Sequence, residues 1–181
     1  MIEPRTAGLV LAAGEGRRFG GPKAPYVLDG ERLVDRGVRV LREGGCDPVV
    51  VVLGAWVGEV DGAQVVISAG WAEGMGASLR AGLAALGAKA EIDRVLVSLV
   101  DLPGLTSEAV RRLLACDDDL VAASYAGTRA HPVLLGRRHW AGVSAVAVGD
   151  RGARDYLAVH EPALVEVGDV ASGEDLDSQP A

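Results

Sequence analysis

Sulfur-containing and aromatic side chains are scarce in this 181-residue chain, which has two cysteines, two methionines and a single phenylalanine. Cys46 and Cys116 stand alone and far apart, so they match neither a zinc-binding pattern nor a disulfide framework. No apolar run approaches the roughly 18 residues of a membrane-spanning helix, and the opening residues MIEPRT leave no room for a signal peptide before the first apolar run. We therefore expect a soluble protein in a reducing cytoplasm, with no membrane partner.

Cations are in the minority as well, because 18 Lys and Arg residues face 25 Asp and Glu residues, for a formal net charge of −7. Such a chain is a poor candidate for binding nucleic acid or anionic membranes. A local cluster of cations then points to a small anionic ligand. The 25 glycines predict many tight turns, and the 49% of apolar residues suffice for the core of one domain over residues 1–181.

Residues 6–23, TAGLVLAAGEGRRFGGPK, contain the most informative pattern. The apolar run over residues 7–13 predicts a fully buried parallel strand. The loop after it has glycines at Gly14, Gly16, Gly20 and Gly21 and cations at Arg17, Arg18 and Lys23. Glycines let backbone amides approach phosphate oxygens closely, and the cations neutralise the phosphate charge. This loop therefore predicts a polyphosphate-binding site.

Two well-known phosphate-binding patterns do not fit this loop. A Walker loop needs Gly-Lys followed by Ser or Thr, whereas Lys23 follows Pro22 and precedes Ala24. A dinucleotide-binding loop needs a third glycine where Phe19 stands and an acidic residue after the second strand, where Gly54 stands. These mismatches argue against a P-loop NTPase and against a nicotinamide or flavin enzyme.

Strands and helices alternate along the rest of the chain. The apolar runs predict strands over residues 7–13, 49–53, 65–67, 94–100, 120–123, 133–135 and 163–167. Helical spacing predicts helices over residues 33–41, 75–86 and 153–159 and one that Thr106 caps. This order predicts a three-layer, doubly wound α/β fold with a mostly parallel, Rossmann-like sheet. Residues 131–135, HPVLL, and the last strand are candidates for an antiparallel edge, and residues 171–181 form a polar tail whose end is expected to be frayed.

Asp101 ends the fourth predicted strand and begins a turn, DLPG. Ligands of open parallel sheets bind at the carboxyl ends of the strands, so Asp101 and the glycine-rich loop are expected at one cleft. Mg²⁺ in proteins favours one or two carboxylates together with phosphate oxygens and waters, which makes Asp101 the candidate metal ligand. The alternative is a turn-forming or helix-capping aspartate ahead of Thr106.

The loop resembles the LAAGxGxRMGxPK loop of the molybdenum-cofactor nucleotidyltransferases, which have a glycosyltransferase-A-like fold. Residues 11–14, Gly16, Arg18, Gly20, Pro22 and Lys23 match that pattern, and Phe19 replaces its Met. Residues 71–83, WAEGMGASLRAGL, are similar to the element that lines the base and ribose in that family. The resemblance implies catalytic roles for Arg18, Lys23 and Asp101, with Mg²⁺ on Asp101. It implies nucleotide binding by Leu11, Ala12, Ala13, Gly14, Glu15, Gly16, Arg17, Arg18, Lys23, Gly76 and Ser78.

Two further segments, residues 127–140 and GDRGAR over residues 149–154, resemble the acceptor side of the same family. They offer His131, Arg151 and Arg154 as acceptor-binding residues. A phosphate acceptor is already anionic near neutral pH, so we expect His131 to donate or accept a hydrogen bond rather than to act as a general base. A solvent-exposed helical residue is an equally good interpretation of Arg154.

The resemblance weakens near the carboxyl terminus, where the family pattern DIDTPEDL is replaced by DVASGEDL over residues 169–176. Its second aspartate becomes Ala171. If that aspartate assists the metal in relatives, this chain either does without it or uses Asp169. Ser172 could alternatively cap a helix.

The resemblance as a whole implies transfer of CMP from CTP to the phosphate of molybdopterin, with release of pyrophosphate and possible delivery to a recipient molybdoenzyme. The Ala12-Ala13 pair before Gly14 favours the cytidylyl branch over the guanylyl branch. Alternatives that stay open are GTP as the nucleotide, a sugar phosphate or polyol phosphate as the acceptor, and a non-catalytic nucleotide-binding escort for a molybdoenzyme.

Overall fold

A computed structural model describes residues 4–180 of the chain, so the expectations for residues 1–3 and Ala181 lie outside it. The strands are β1 (Thr6–Leu11), β2 (Val27–Leu28), β3 (Glu31–Arg32), β4 (Val49–Leu53), β5 (Gln64–Ile67), β6 (Arg94–Leu99), β7 (Leu120–Tyr125), β8 (Thr128–Gly136) and β9 (Ala163–Glu166). The helices are α1 (Leu33–Glu43), α2 (Met75–Gly87), α3 (Ser107–Leu114), α4 (Arg137–Val146) and α5 (Arg154–Val159).

Seven of the strands form one sheet in the order β5-β4-β1-β6-β8-β7-β9, while β2 and β3 form a separate hairpin. Strand β1 is buried over its whole length and pairs in parallel with β4 and β6. In this register Leu11 lies opposite both Val52 and Leu99. The carboxyl ends of three parallel strands therefore meet at one edge of the sheet, as the sequence predicts.

Strand β8, which contains the HPVLL segment, runs antiparallel to both β6 and β7. Strand β9 runs parallel to β7 at the edge of the sheet. The predicted fold class, a mostly parallel α/β sheet with antiparallel pairing toward one edge, is confirmed. The reversed strand is the HPVLL strand, and the last strand, also considered for this role, follows the parallel direction.

Helices cover both faces of the sheet, so the core has two halves. On one face α1 and α3 pack over Val10, Val51 and Leu96, and on the other α2 and α4 pack over Leu9 and Val50. Burial on both sides explains why the central strands read as continuous apolar runs rather than alternating ones. Among residues 4–180, no helix is both long and apolar enough to cross a membrane.

The predicted cap of α3 is present, because the Thr106 hydroxyl accepts a hydrogen bond from the Ala109 amide at 3.2 Å. Helix α4 was not predicted. Its start is fixed by the Arg137 guanidinium, which donates to the carbonyls of Gly87 and Ile92, and Trp140 donates to the Leu135 carbonyl. The contacts of Arg137 join residues distant in sequence, so periodicity alone could not reveal them.

The polar tail makes hydrogen bonds to the rest of the fold. The amides of Ser172 and Leu176 donate to the carbonyls of Gly104 and Asp101, at 3.0 and 2.9 Å. The side chain of Gln179 donates to the Phe19 carbonyl at 3.2 Å. The described part of the tail is therefore held against the carboxyl ends of the strands.

Candidate active site

A cleft with a volume of about 480 Å³ opens at the carboxyl ends of β1 and β6. We call residues 12–23, the loop after β1, the phosphate lip, and residues 99–104, the end of β6 and the turn after it, the acid lip. The cleft is lined by residues 11–17, Lys23, residues 71–75, Ser78, residues 99–101 and Asp150. The two segments that the sequence singled out thus face one cavity.

The phosphate lip is a tight loop closed by backbone hydrogen bonds. The Gly16 carbonyl accepts from the amides of Gly20 and Gly21, at 2.9 and 3.0 Å. Gly16 has φ +62°, and a Cβ there would lie 1.9 Å from the Gly21 carbonyl oxygen. Only glycine fits this position, because both the backbone conformation and the space exclude a side chain. Phe19 is buried and anchors the loop with its ring 4.8 Å from the Tyr26 ring.

The three cations of the phosphate lip are not equivalent. The Lys23 side chain is 16% exposed and lines the cleft. Arg17 also lines the cleft, but its side chain is 85% exposed and pairs with Glu15. Arg18 is exposed and is not among the described residues that line the cleft. The structure therefore brings two of the three predicted cations to the site.

The two lips meet through one ion pair. The Lys23 amine donates to Asp101 Oδ2 at 2.8 Å, and the Asp101 side chain is 21% exposed. Helix α1 supports the turn that carries Asp101, because Arg36 donates to the Pro103 carbonyl at 2.9 Å. Both members of the pair line the cleft.

Asp101 also suits a divalent cation. Its second oxygen, Oδ1, is buried and has no hydrogen-bond partner among residues 4–180. Leaving a buried carboxylate oxygen unpaired is costly, and a cation would satisfy it. The described residues hold no cluster of three or more His, Cys, Asp or Glu side chains suited to a metal. Mg²⁺ needs no such cluster, since it keeps waters and binds substrate phosphates.

The start of α2 forms a third wall. Gly74 has φ +116° and lines the cleft, where a Cβ would collide with Gly149 and Asp150. Ser78 is buried and lines the cleft as predicted. Gly76 lies within the first turn of the helix, and a Cβ there would lie 2.6 Å from the Ala147 carbonyl. Gly76 thus allows α2 to pack closely on the end of α4, and the structure places it away from the cleft lining.

His131 lies beside the acid lip, because the pairing of Val97 with Val133 runs β8 alongside the end of β6. Burial lowers the pKa of His131 to about 4, with the charge of Arg154 acting in the same direction and that of Asp101 opposing it. His131 is therefore neutral at pH 7. This state fits a hydrogen-bonding role and gives no positive charge for an acceptor phosphate.

The two arginines of GDRGAR lie at the surface next to the cleft. Arg151 pairs with Asp155 at 3.1 Å on α5, and Arg154 is exposed but close enough to His131 to affect its pKa. Neither is among the described residues that line the cleft. The residue of this segment that does line it is Asp150, which the sequence analysis did not select. Its position within the GDRGAR segment could have identified Asp150 as a candidate site residue.

Glu166 fixes the turn between β7 and β8 on the acceptor side. It accepts hydrogen bonds from the Ser124 hydroxyl and from the amides of Ala126 and Gly127, at 2.8 to 3.0 Å. These bonds lower the pKa of Glu166 to about 2. The carboxylate thereby joins β9 to the hairpin that carries His131.

The carboxyl-terminal acids are separated by the fold. Asp169, the suggested substitute metal ligand, forms two bonds with Arg112 at 2.7 and 3.0 Å on the surface. Asp175 instead lies next to Leu176, whose amide bonds the Asp101 carbonyl. Burial and the charge of Asp101 raise the pKa of Asp175. Asp175 is exposed and is not among the described residues that line the cleft.

Comparison with known protein families identifies one family for this chain. Residues 8–165 match the model of the MobA-like NTP transferase domain. A nicotine blue oxidoreductase from Paenarthrobacter nicotinovorans is 36% identical over 97% of this chain and 93% of its own length. A probable molybdenum cofactor guanylyltransferase from Opitutus terrae is 61% identical over 46 residues, which are 25% of this chain and 23% of that protein.

Solved structures show the same fold. Rv0371c from Mycobacterium tuberculosis H37Rv has a TM-score of 0.77 and 25% identity, over 96% of this chain and 94% of its own. A second structure of Rv0371c, in complex with manganese, has a TM-score of 0.70 and 22% identity, over 90% and 87% of the two chains.

Proposed function

This chain belongs to the family of MobA-like NTP transferase domains, and on that premise we propose that it transfers a nucleotidyl group from a nucleoside triphosphate to the phosphate of a molybdopterin-type acceptor, with release of pyrophosphate. The chain is a nucleotidyltransferase. The observation that carries the proposal is the meeting of Lys23 and Asp101 across a cleft at the carboxyl ends of β1 and β6.

The proposed reaction forms a bond between an acceptor phosphate oxygen and the α-phosphorus, and breaks the bond from that phosphorus to the oxygen bridging to the β-phosphate. Pyrophosphate leaves with the bonding electron pair. No general base is required, because the attacking phosphate is already anionic. In such transfers the protein mainly positions the groups and stabilises charge.

The chain's own residues divide this work. The amides over residues 14–17 and the Arg17 guanidinium face the cleft and suit the leaving β- and γ-phosphates. Lys23 suits the α-phosphate, where charge develops. Arg18, for which the resemblance implies a catalytic role, does not line the cleft and would have to turn inward to share this work. Asp101 would hold Mg²⁺, which when bound would neutralise phosphate charge.

The base and the acceptor define the finer part of the proposal. We assign CTP as the nucleotide because of the Ala12-Ala13 pair. The base would lie near Ser78, which lines the cleft from α2. GTP is the second candidate, favoured by the short, 61% identical match to a protein named a guanylyltransferase. His131 and Arg154 lie near each other beside the acid lip and suit the acceptor. Arg151 would join them after its ion pair with Asp155 breaks. We place this activity in the cytoplasm, with delivery of the product to a recipient molybdoenzyme.

The test is pyrophosphate release from CTP, GTP, ATP and UTP, each with Mg²⁺ and molybdopterin, with sugar phosphates and polyol phosphates as competing acceptors. We expect release with CTP and molybdopterin, and the product should be the matching dinucleotide. Faster release with GTP would reassign the base, and release only with a sugar or polyol phosphate would reassign the acceptor.

Two further outcomes would contradict nucleotidyl transfer by this chain. Thermal stabilisation by CTP and Mg²⁺ without any pyrophosphate would support the escort role. Conversion of added nicotine blue, with no pyrophosphate released from any triphosphate, would support the activity in the name of the Paenarthrobacter relative. Lys23→Met is the control for genuine turnover, because it removes the cation that touches Asp101 and should lower turnover about 10²–10³-fold.

A further inference from the structure

The described carboxyl-terminal residues connect the two lips of the cleft from outside it. We call residues 172–179 the C-terminal strap. Its first part is bonded to the acid lip, because the Ser172 and Leu176 amides donate to the carbonyls of Gly104 and Asp101, at 3.0 and 2.9 Å. None of residues 172–179 is among the described residues that line the cleft. The strap therefore contacts the lips and not the interior of the cleft.

The last part of the strap holds the phosphate lip at Phe19. The Gln179 side chain donates to the Phe19 carbonyl at 3.2 Å. Phe19 is buried, and its ring lies 4.8 Å from the Tyr26 ring. The Lys23 amine lies 5.8 Å from the centre of the Phe19 ring. Gln179 therefore fixes the backbone of the residue beside which the Lys23 amine lies.

The two lips are thus joined by two links of different kinds. Inside the cleft, the Lys23 amine donates to Asp101 Oδ2 at 2.8 Å. Outside the cleft, the strap joins the Asp101 carbonyl, bonded by Leu176, to the Phe19 carbonyl, bonded by Gln179. The backbone from Leu176 to Gln179 spans at most about 11 Å. While both ends are bonded, the strap limits how far the lips can separate.

The two links differ in what substrate binding does to them. In the proposed function Lys23 turns to the α-phosphate and Asp101 to the cation, so the ion pair gives up its contact when the triphosphate enters. The strap bonds to backbone carbonyls that the reaction does not use. The strap can therefore stay closed while the ion pair opens.

Holding a site in its bound geometry lowers the cost of ordering it when the ligand binds. We propose that the C-terminal strap holds the two lips at the separation that a magnesium triphosphate requires, with Leu176 and Gln179 as its positioning residues. This inference rests on the proposed function, because it needs a triphosphate that engages both lips. It concerns residues whose substitution leaves Lys23 and Asp101 in place.

The experiment measures binding of inorganic tripolyphosphate to the full chain by isothermal titration calorimetry. This probe does not depend on the identity of the base or of the acceptor. With Mg²⁺ it can engage both lips, whereas without Mg²⁺ it lacks the cation that would engage the carboxylate of Asp101. Comparing the two conditions separates an effect on the link between the lips from an effect on the phosphate lip alone.

The variants release the strap at either end. Gln179→Met keeps the length of the side chain but removes its donor, and Ser178→Ala is the matched control at the exposed neighbouring position. Leu176→Pro removes the amide that bonds to the Asp101 carbonyl, whereas Leu176→Ala keeps that amide. A double variant combines Gln179→Met with Leu176→Pro. Thermal unfolding checks each fold, and Gln179→Met decides the question if Leu176→Pro does not fold.

We expect Gln179→Met to weaken binding of tripolyphosphate with Mg²⁺ by about 3- to 10-fold, the size that one hydrogen bond carries. Leu176→Pro should weaken it by no more than that, since Ser172 still bonds the strap to the acid lip. The double variant should bind like Gln179→Met alone, because a strap released at one end no longer joins the lips. Ser178→Ala and Leu176→Ala should bind like the wild type. Without Mg²⁺, all variants should bind equally.

The outcomes separate this inference from the proposed function. Wild-type binding in Gln179→Met, an equal loss in Ser178→Ala, or additive losses in the double variant would overturn the role of the strap and leave the proposed function standing. The same loss without Mg²⁺ would show that Gln179 shapes the phosphate lip alone, which also overturns the link. If the wild-type chain binds no tripolyphosphate with Mg²⁺, the proposed function fails together with the inference.

Discussion

The two lips of the cleft are built in different ways. The phosphate lip is one contiguous loop whose shape is set by its own backbone, as the bonds from Gly20 and Gly21 to Gly16 show. The acid lip is short, and its surroundings come from distant parts of the chain, namely Arg36, His131 and residues 172–176. A local loop can be recognised from spacing, whereas an assembled wall depends on the whole fold.

The difference also concerns chemistry. The phosphate lip presents amides and cations, which suit the leaving phosphates. The acid lip presents a carboxylate and has the neutral His131 beside it, and these suit a cation and an acceptor. The ion pair between Lys23 and Asp101 joins the two sets. Substitutions on each side should therefore affect different measurements.

The largest effect is expected at the acid lip. Asp101→Asn should lower turnover about 10²–10³-fold, the usual consequence of removing a well-placed stabilising group. Asp169→Asn is the matched control, since Asp169 pairs with Arg112 on the surface, and its turnover should stay near that of the wild type. Pyrophosphate release under saturating nucleotide measures both. Comparable losses in the two variants would show that net charge, not position, controls the rate.

Lys23→Met should lower turnover by a similar factor of about 10²–10³, but it should affect metal binding in the opposite direction. The amine occupies Asp101 Oδ2 at 2.8 Å, so its removal frees that oxygen and takes a positive charge from beside it. Mn²⁺ binding without nucleotide should therefore tighten. Weaker Mn²⁺ binding in this variant would mean that Lys23 holds Asp101 in place for the cation.

The phosphate lip can be tested through its backbone. Gly16→Ala puts a Cβ against the Gly21 carbonyl at a positive φ, so it should cost about 1–3 kcal/mol of stability and raise the KM for the nucleotide. Gly87→Ala at the end of α2 is the control, because a Cβ there meets nothing within 4 Å. Urea unfolding and steady-state kinetics measure the two effects. A stable variant with normal KM would show that the loop shape is not required for phosphate binding.

The same contrast explains what could be predicted from the sequence. The strand before the loop, Thr106 as a cap and the approach of Lys23 to Asp101 follow from apolar runs, from capping chemistry and from the rule that parallel strands end at one edge. Helix α4 buries only Trp140 and Val143, so it lacked a clear apolar stripe. Residues 172–179 are held mainly by backbone amides. Such bonds do not depend on residue type, so the side-chain pattern could not predict them.

His131 gives the smallest effect and the one most specific to the acid lip. Its pKa is near 4 in the fold and 6.5 in a model peptide, so the folded chain binds fewer protons at this site than the unfolded chain does. Protonation therefore favours unfolding, and stability should fall as the pH drops from about 6.5 toward 4. Because the side chain is only partly buried, we expect this contribution to be about 1–2 kcal/mol.

His131→Gln should remove that contribution and flatten the loss of stability between pH 6.5 and 4, as measured by urea unfolding at successive pH values. His160→Gln changes an exposed histidine after α5 and should keep the wild-type slope. The flatter slope is expected because glutamine can keep a hydrogen bond yet cannot be protonated in this range. Parallel slopes for His131→Gln and the wild type would show that His131 is solvated. Its hydrogen-bonding role beside Asp101 would then lose its physical basis.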